Sequence, residues 1–313
     1  MQTIASGTNL IDLEFLGYRE AIGPCLLEGG GELALVDCGP SNCLPTLRRE
    51  LAGRGLSTKD LTALFLTHIH LDHAGAAGTL VRENPKLRVY THEKGAPHLA
   101  DPSKLLRSAE RLYRDAMNDL FGEFLAVPAE NVHPLAGGET LRLGTRRIEI
   151  AYTPGHASHH ISYFDQSTGI AFTGDTTGLR YPGFKCVAPL TPPPDIDLVA
   201  WKNSLAEIAR RRPAKLYLTH FGPADPVQEH LDEVWEGLQR WAEYAAQVTR
   251  EEKDESARLP AFLIRAEQDL QRQMPLEDAK RYALGANPTL SWYGLSRYWT
   301  KRPTAGSAAQ HAS

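Results

Sequence analysis

Between positions 68 and 73 the chain places His68, His70, Asp72 and His73 directly after the apolar run Leu61–Leu66. Neutral imidazole and carboxylate are the donors that zinc, iron and manganese sites use. Bringing four such titratable groups into a folded interior without a cation would be costly. Residues two apart on an extended segment point the same way, so His68 and His70 share one face off a strand end. Asp72 and His73, on the following turn, can then face a second ion close by. Leu61–Leu66 therefore reads as a buried strand that delivers its last residues to a cleft. The small residues Ala74, Gly75, Ala76, Ala77 and Gly78 open a helix behind it and let the backbone approach whatever the loop holds.

Three more candidate ligands, His156, Asp175 and His220, stand in or beside loops that follow apolar runs. Around them the chain reads as strands first, then strands alternating with helices, then helices alone. Asn9–Leu16, Pro24–Leu27 and Glu32–Asp37, separated by turn residues, read as antiparallel strands. Leu44–Leu51 has helical spacing, Arg88–Tyr90 reads as a strand, and Glu93 to Leu125 reads as helical. Strands resume at Thr140–Leu143, Arg147–Tyr152, His160–Phe164 and Ile170–Phe172, and Lys215–Leu218 reads as the last. Asp195 closes a Pro-rich loop and is placed to cap a helix over Leu198–Arg211.

Beyond Pro226 the pattern is helical over His230–Lys253 and Ala261–Leu284, joined by the charged Arg250–Arg258 and broken at Pro275. The tail from Ala305 reads as frayed. Leu231, Val234, Trp235, Leu238, Trp241 and Tyr244 form an apolar stripe that must be covered. These helices are expected to cover the cleft, with Trp292, Tyr293, Tyr298 and Trp299 near its mouth, or else only to stabilise the fold or to pair two subunits in a homodimer.

Thr67-His68-Ile69-His70-Leu71-Asp72-His73-Ala74-Gly75 resembles the T-H-x-H-x-D-H-x-G motif of the metallo-β-lactamase superfamily. Thr153-Pro154-Gly155-His156, Phe172-Thr173-Gly174-Asp175-Thr176, Leu218-Thr219-His220-Phe221-Gly222 and Val36-Asp37-Cys38-Gly39 resemble further family segments, in the family's order across residues 10–225. The resemblance implies an α/β fold, a four-layer αββα sandwich over residues 1–225 with a C-terminal helical extension over 226–313. It implies that His68, His70 and His156 hold one metal, that Asp72, His73 and His220 hold another, and that Asp175 bridges both. Two divalent ions, zinc first with iron or manganese as alternatives, would then activate a bridging hydroxide, and Asp72 could pass a proton to the leaving group.

Where relatives near glyoxalase II and the lactonases continue with x-x-G-H, this chain has Ala157-Ser158-His159-His160. His160 is then expected to support a ligand and His159 to lie at an exposed strand edge or reach the cleft. Asp37 is expected to orient a metal-binding histidine. His92, His98, His133, His230 and His311 read as packing or surface residues. Tyr181, soon after Asp175, is a candidate to bind substrate by donating to a polarised oxygen.

A net charge of −4 offers no electrostatic grip on nucleic acid, and no apolar stretch is long enough to span a bilayer. Cys25, Cys38, Cys43 and Cys186 have neither zinc-ribbon spacing nor the density of a disulfide framework, and Met1–Leu10 lacks a signal-peptide pattern. The expected protein is therefore cytoplasmic and acts on a small molecule: an ester, thioester or lactone. The alternatives are a phosphodiesterase or nuclease-type hydrolase and a single-iron enzyme resembling persulfide dioxygenases. His70 stands where flavodiiron proteins carry glutamate.

Overall fold

Strands β1 (Gln2–Ala5), β2 (Thr8–Leu10), β3 (Cys25–Gly29), β4 (Glu32–Val36), β5 (Ala63–Phe65), β6 (Arg88–His92) and β7 (Val132–Leu135) lie side by side in chain order. This is the first of two sheets in the computed structural model, which describes residues 1–301. The pairs from β1 to β4 are antiparallel, as short turns permit. Those from β4 to β7 are parallel and need crossovers. The crossovers carry α1 (Leu44–Ala52), α2 (Leu71–Ala74), α3 (Ala77–Glu83), α4 (Ala96–Ala100), α5 (Ser103–Tyr113) and α6 (Met117–Phe121).

The second sheet contains β8 (Thr140–Leu143), β9 (Arg146–Tyr152), β10 (Ile161–Asp165), β11 (Ile170–Phe172), β12 (Lys215–Leu218) and β13 (Gly222–Ala224), ordered β13-β12-β11-β10-β9-β8. Only β11 and β12 run parallel, linked by a connection that contains α7 (Leu198–Arg210). After β13 come α8 (Val227–Glu251), α9 (Glu255–Gln273), α10 (Leu276–Ala286) and α11 (Pro288–Lys301).

Three apolar layers hold the four-layer αββα sandwich together. Val36, Phe65, Ile148, Ile150 and Tyr163 fill the space between the sheets. Leu47, Leu51 and Leu80 cover the outer face of the first sheet through Leu35 and Leu64. Trp201, Val234, Leu238, Phe262 and Leu295 cover the outer face of the second through Ala171 and Leu216. Strand β9 shows the pattern that produces this: Ile148 and Ile150 point inward while Arg147 between its neighbours is exposed. Among the described residues no helix is long and apolar enough to cross a membrane.

Several local expectations are corrected. The first strand pair is β1–β2, and pairing ends at Leu10 rather than Leu16; beyond it a 3-10 turn forms at Phe15–Gly17. Residues 93–125 form three short helices, because Asp101 is extended before Pro102 and Arg114 at φ 47° leaves helical geometry, and Gly122 at φ 67° ends the third. The cap of α7 is Asp197, whose carboxylate accepts from Val199 N and Ala200 N; Asp195 accepts from Ser158 Oγ instead. Strand β13 follows β12, so Lys215–Leu218 is not the last. Helix α9 starts at Glu255 under an Asp254 cap, which shortens the joining segment to three residues, 252–254. The break at Pro275 is present. Trp292 packs against Phe262 with ring centres 5.6 Å apart, Tyr298 is buried, and Trp299 Nε1 donates to Ala242 O, so these rings join helix to helix; Tyr293 is exposed. The tail from Ala305 lies outside the described residues.

Candidate metal centre

All seven candidate ligands come together where the two sheets meet, each on a segment that leaves a strand. Loop 66–70 follows β5 and carries His68 and His70, while α2 carries Asp72 and His73. The turn between β9 and β10 supplies His156, the 3-10 turn after β11 supplies Asp175, and the β12–β13 connection supplies His220. They form two groups, His68–His70–His156 and Asp72–His73–Asp175–His220, with donor atoms in each within 4.8 Å of one another.

In the first group His70 Nδ1 is 3.0 Å from His68 Nε2 and 2.9 Å from His156 Nε2. In the second, His73 Nε2 is 3.3 Å from His220 Nε2 and 3.1 Å from Asp175 Oδ1, and His220 Nε2 is 3.3 Å from Asp72 Oδ2. Asp175 reaches both groups, since its Oδ2 is 3.5 Å from His156 Nε2 and 3.9 Å from His68 Nε2. Donors about 2.0–2.1 Å from a tetrahedral ion stand about 3.3–3.4 Å apart, so these spacings fit a cation at each group. Asp175 Oδ1 is buried without a hydrogen bond, the condition of an acceptor that waits for a cation.

Hydrogen bonds on the far side of the rings fix which nitrogen of each points into the cluster. His73 Nδ1 donates to Asp37 Oδ2 at 2.8 Å, His156 Nδ1 to Leu190 O at 2.7 Å and His220 Nδ1 to Ala21 O at 2.7 Å. Each acceptor takes the Nδ1 hydrogen, so Nε2 is the nitrogen left to face the cluster, where a cation would displace any proton it carries. Thr67 Oγ1 donates to the Asp37 carboxylate and therefore accepts from His68 Nδ1 at 3.1 Å, with the same result. Asp37 also accepts from Thr67 N at 2.8 Å and Thr219 Oγ1 at 2.7 Å, so one buried carboxylate ties two ligand-bearing loops together.

Electrostatics separate the groups. Burial drives His68 well below the usual imidazole range, pushes His70 down to about 4 and lowers His156, so all three are neutral donors. Burial also opposes charge on His73, but the Asp175, Asp72 and Asp37 carboxylates outweigh it and hold its pKa well above the ordinary value. Against the same desolvation, His73 and His220 hold Asp72 at about 2, and His73, His220 and His156 keep Asp175 well below the carboxylate range. The second group therefore offers ionised carboxylates, and the Asp72 side chain keeps about a third of its surface, 31%, open to solvent, His70 being the other of the seven that is only partly buried.

His160 supports the first group: its ring stacks on His68 at 5.1 Å, with Nδ1 within hydrogen-bond distance of Thr153 Oγ1 and Thr176 Oγ1. His159 is not an exposed edge residue. It is buried, with its ring 5.5 Å from that of His70 and 6.1 Å from that of His68. His92 is a packing residue, stacked on Tyr152 at 4.3 Å. Tyr181 is not brought to the cluster; its ring meets Tyr282 edge-on, the Arg281 guanidinium lies over it, and its hydroxyl abuts Gly285. Another tyrosine, Tyr113 at the end of α5, feels the charge of the carboxylates. It packs with Phe121 in the apolar cluster around Leu71, and burial together with the charges of Asp72 and Asp175 pushes its phenol up. No local sequence signal marks it, because the break at Arg114 turns the chain there.

The family model for the metallo-beta-lactamase superfamily matches residues 25–220. A metallo-beta-lactamase fold-containing protein of Sulfurisphaera tokodaii is 31% identical over 179 residues, 56% of this chain and 66% of that protein. A hydroxyacylglutathione hydrolase of Legionella pneumophila is 27% identical over 116 residues, 37% of this chain and 34% of that protein. The chain thus spans just under two thirds of the first relative and about a third of the second. Among solved structures, a metallo-beta-lactamase family protein from Thermus thermophilus superposes with a TM-score of 0.65 at 23% identity, covering 93% of this chain and 95% of that one.

Proposed function

Because the chain belongs to the metallo-β-lactamase superfamily, we propose that it is a metal-dependent hydrolase of esters, thioesters or lactones. In this reading His68, His70 and His156 would hold one divalent cation, Asp72, His73 and His220 would hold a second, and Asp175 would serve both groups. The observation that carries it is the placement of Asp175, with its two oxygens turned to the two groups. Zinc suits the mixed imidazole and carboxylate donors, with iron or manganese as alternatives. Residues 1–225 form the catalytic unit and the helices after it support it. The hydroxyacylglutathione hydrolase relative favours thioesters within the class.

Two bound cations would supply Lewis acidity and bring the pKa of a coordinated water to about 7. The chain's own groups do the rest. Asp37, Leu190 O and Ala21 O hold the ligand tautomers without rearrangement during turnover. Asp72 is ionised and reached from the cleft, so its carboxylate can take a proton and release it to the leaving oxygen or sulfur. Tyr113 packs in the cluster around Leu71, next to Asp72 in the chain, with its phenol pushed up by burial, and is the candidate donor to a substrate oxygen on that side.

The test is turnover by purified, metal-quantified protein across thioester, lactone, β-lactam and phosphodiester panels. The reading expects thioester, ester or lactone hydrolysis that Asp175→Ala abolishes and Tyr113→Phe lowers by about 100- to 1000-fold, the range for losing a positioned donor. Turnover confined to phosphodiesters, or one iron per chain with persulfide-dependent oxygen uptake, would move the protein to another activity.

A further inference from the structure

The carbonyls that orient His156 and His220 both lie in loops gripped from outside by the C-terminal helices. On the His220 side, the acceptor Ala21 O follows Glu20, whose carboxylate accepts from Arg281 Nη2 at 2.8 Å. Arg281 Nη2 also donates to Arg19 O at 3.3 Å. Glu20 sits at φ 60°, a conformation that a residue with a side chain keeps only where its surroundings hold it. The Arg281 guanidinium lies 4.1 Å over the Tyr181 ring. The adjacent Tyr282 Oη accepts from Tyr181 N at 3.1 Å and donates to Cys186 O at 2.9 Å. Next to Tyr181, Arg180 N donates to His220 O at 2.9 Å. His220 is therefore bracketed through its ring by Ala21 and through its backbone by Arg180, and both brackets end on neighbouring residues of α10.

The His156 side has a matching arrangement. Its acceptor, Leu190 O, is followed by Thr191, and helix α11 rests on Thr191 through Gly294. A Cβ on Gly294 would stand 2.0 Å from Thr191 O and 3.0 Å from Pro192 C, so only glycine lets the helix come this close. We propose that α10 and α11 form a positioning brace for the metal centre, with Arg281 holding the loop that orients His220 and Gly294 the loop that orients His156. The proposal rests on the ligand assignment above. Neither residue touches a cation or substrate. Each acts through a carbonyl: when that acceptor moves, the imidazole is free to turn Nε2 away from its group. Helices that merely covered an apolar face would alter stability without choosing between the two groups.

The experiment is chelator competition on zinc-loaded full-length protein, following two release steps. His220→Ala and His156→Ala assign which step belongs to which group, and Lys280→Ala, beside Arg281 on the surface, is the control. Arg281→Ala is expected to weaken the step assigned by His220 about fivefold, below the 10- to 100-fold typical of residues that contact a ligand directly. Gly294→Ala is expected to weaken the step assigned by His156 by about tenfold. Near-UV circular dichroism confirms folding; if Gly294→Ala does not fold, Arg281→Ala and Glu20→Gln decide between them. Release steps that stay within about twofold of wild type, or that weaken together in every variant, overturn the brace. If His220→Ala and His156→Ala leave both steps intact, the ligand assignment fails instead.

Discussion

Replacing Asp37 by Asn keeps size and backbone preference while removing the charge that unites the centre. The residue lies at φ 55°, which Asn tolerates as Asp does, and it is fully buried. Its carboxylate accepts from Thr67 N, Thr67 Oγ1, His73 Nδ1 and Thr219 Oγ1. An amide offers one accepting oxygen, so whichever way it turns, its NH₂ faces a donor that had been satisfied. Turned toward Oδ2, it confronts both His73 and Thr219. Losing one or two charge-assisted hydrogen bonds at about 1.5–3 kcal/mol each gives a destabilisation of about 3 kcal/mol. His73 Nδ1 then loses its acceptor, and the ring is free to turn Nε2 away from the second group. Metal affinity at that group should fall about 10- to 100-fold. Urea unfolding with and without chelator, alongside chelator competition, separates the two effects. A variant within about 0.5 kcal/mol of wild type that binds metal as tightly would refute the argument, because surface-like substitutions cost no more than that.

Gly155→Ala tests the approach of the His156 turn to α7: at φ 139° an added Cβ would stand 2.4 Å from Trp201 Cα, so a loss of about 3 kcal/mol is expected in urea unfolding, together with weaker metal binding. A loss below about 1 kcal/mol would show that the turn moves aside freely. His230 is buried, donates from Nε2 to Thr177 O at 2.8 Å, and has its pKa lowered to about 4 by burial. The folded protein therefore resists its protonation: its contribution is complete above about 6.5, falls as pH drops from there toward 4, and amounts to about 3 kcal/mol in all. His230→Gln should remove that part of the acid sensitivity, and parallel stability curves for the two proteins between pH 7 and 4 would contradict it.

What the sequence disclosed depended on how local each signal was. The cluster from His68 to His73 could be read directly, because one short segment carries four candidate ligands, and family-like segments carried the reading on to His156, Asp175 and His220. Strands β1, β7 and β13 were harder to see. The first is a short polar edge strand, and the others contain Pro134 and Pro223, which a sheet accepts only at edges or strand starts. Asp195 and Asp197 are equivalent as capping residues on paper; backbone direction alone gives the cap to Asp197. Tyr181 is close to Asp175 in sequence yet turns toward α10, whereas Tyr113 is sixty-two positions away and comes back to the carboxylates through a helix end. Tertiary returns of that kind leave no periodic trace in the chain.

Metal stoichiometry tests the central claim most directly. Protein purified without chelator, reloaded with excess zinc, desalted and measured by elemental analysis should retain about two ions per chain, as two donor groups sharing one carboxylate require. Asp175→Ala should retain markedly fewer, since both groups lose an oxygen. A fully loaded wild-type sample with one ion per chain, or an Asp175→Ala variant that still keeps two, would contradict the shared centre.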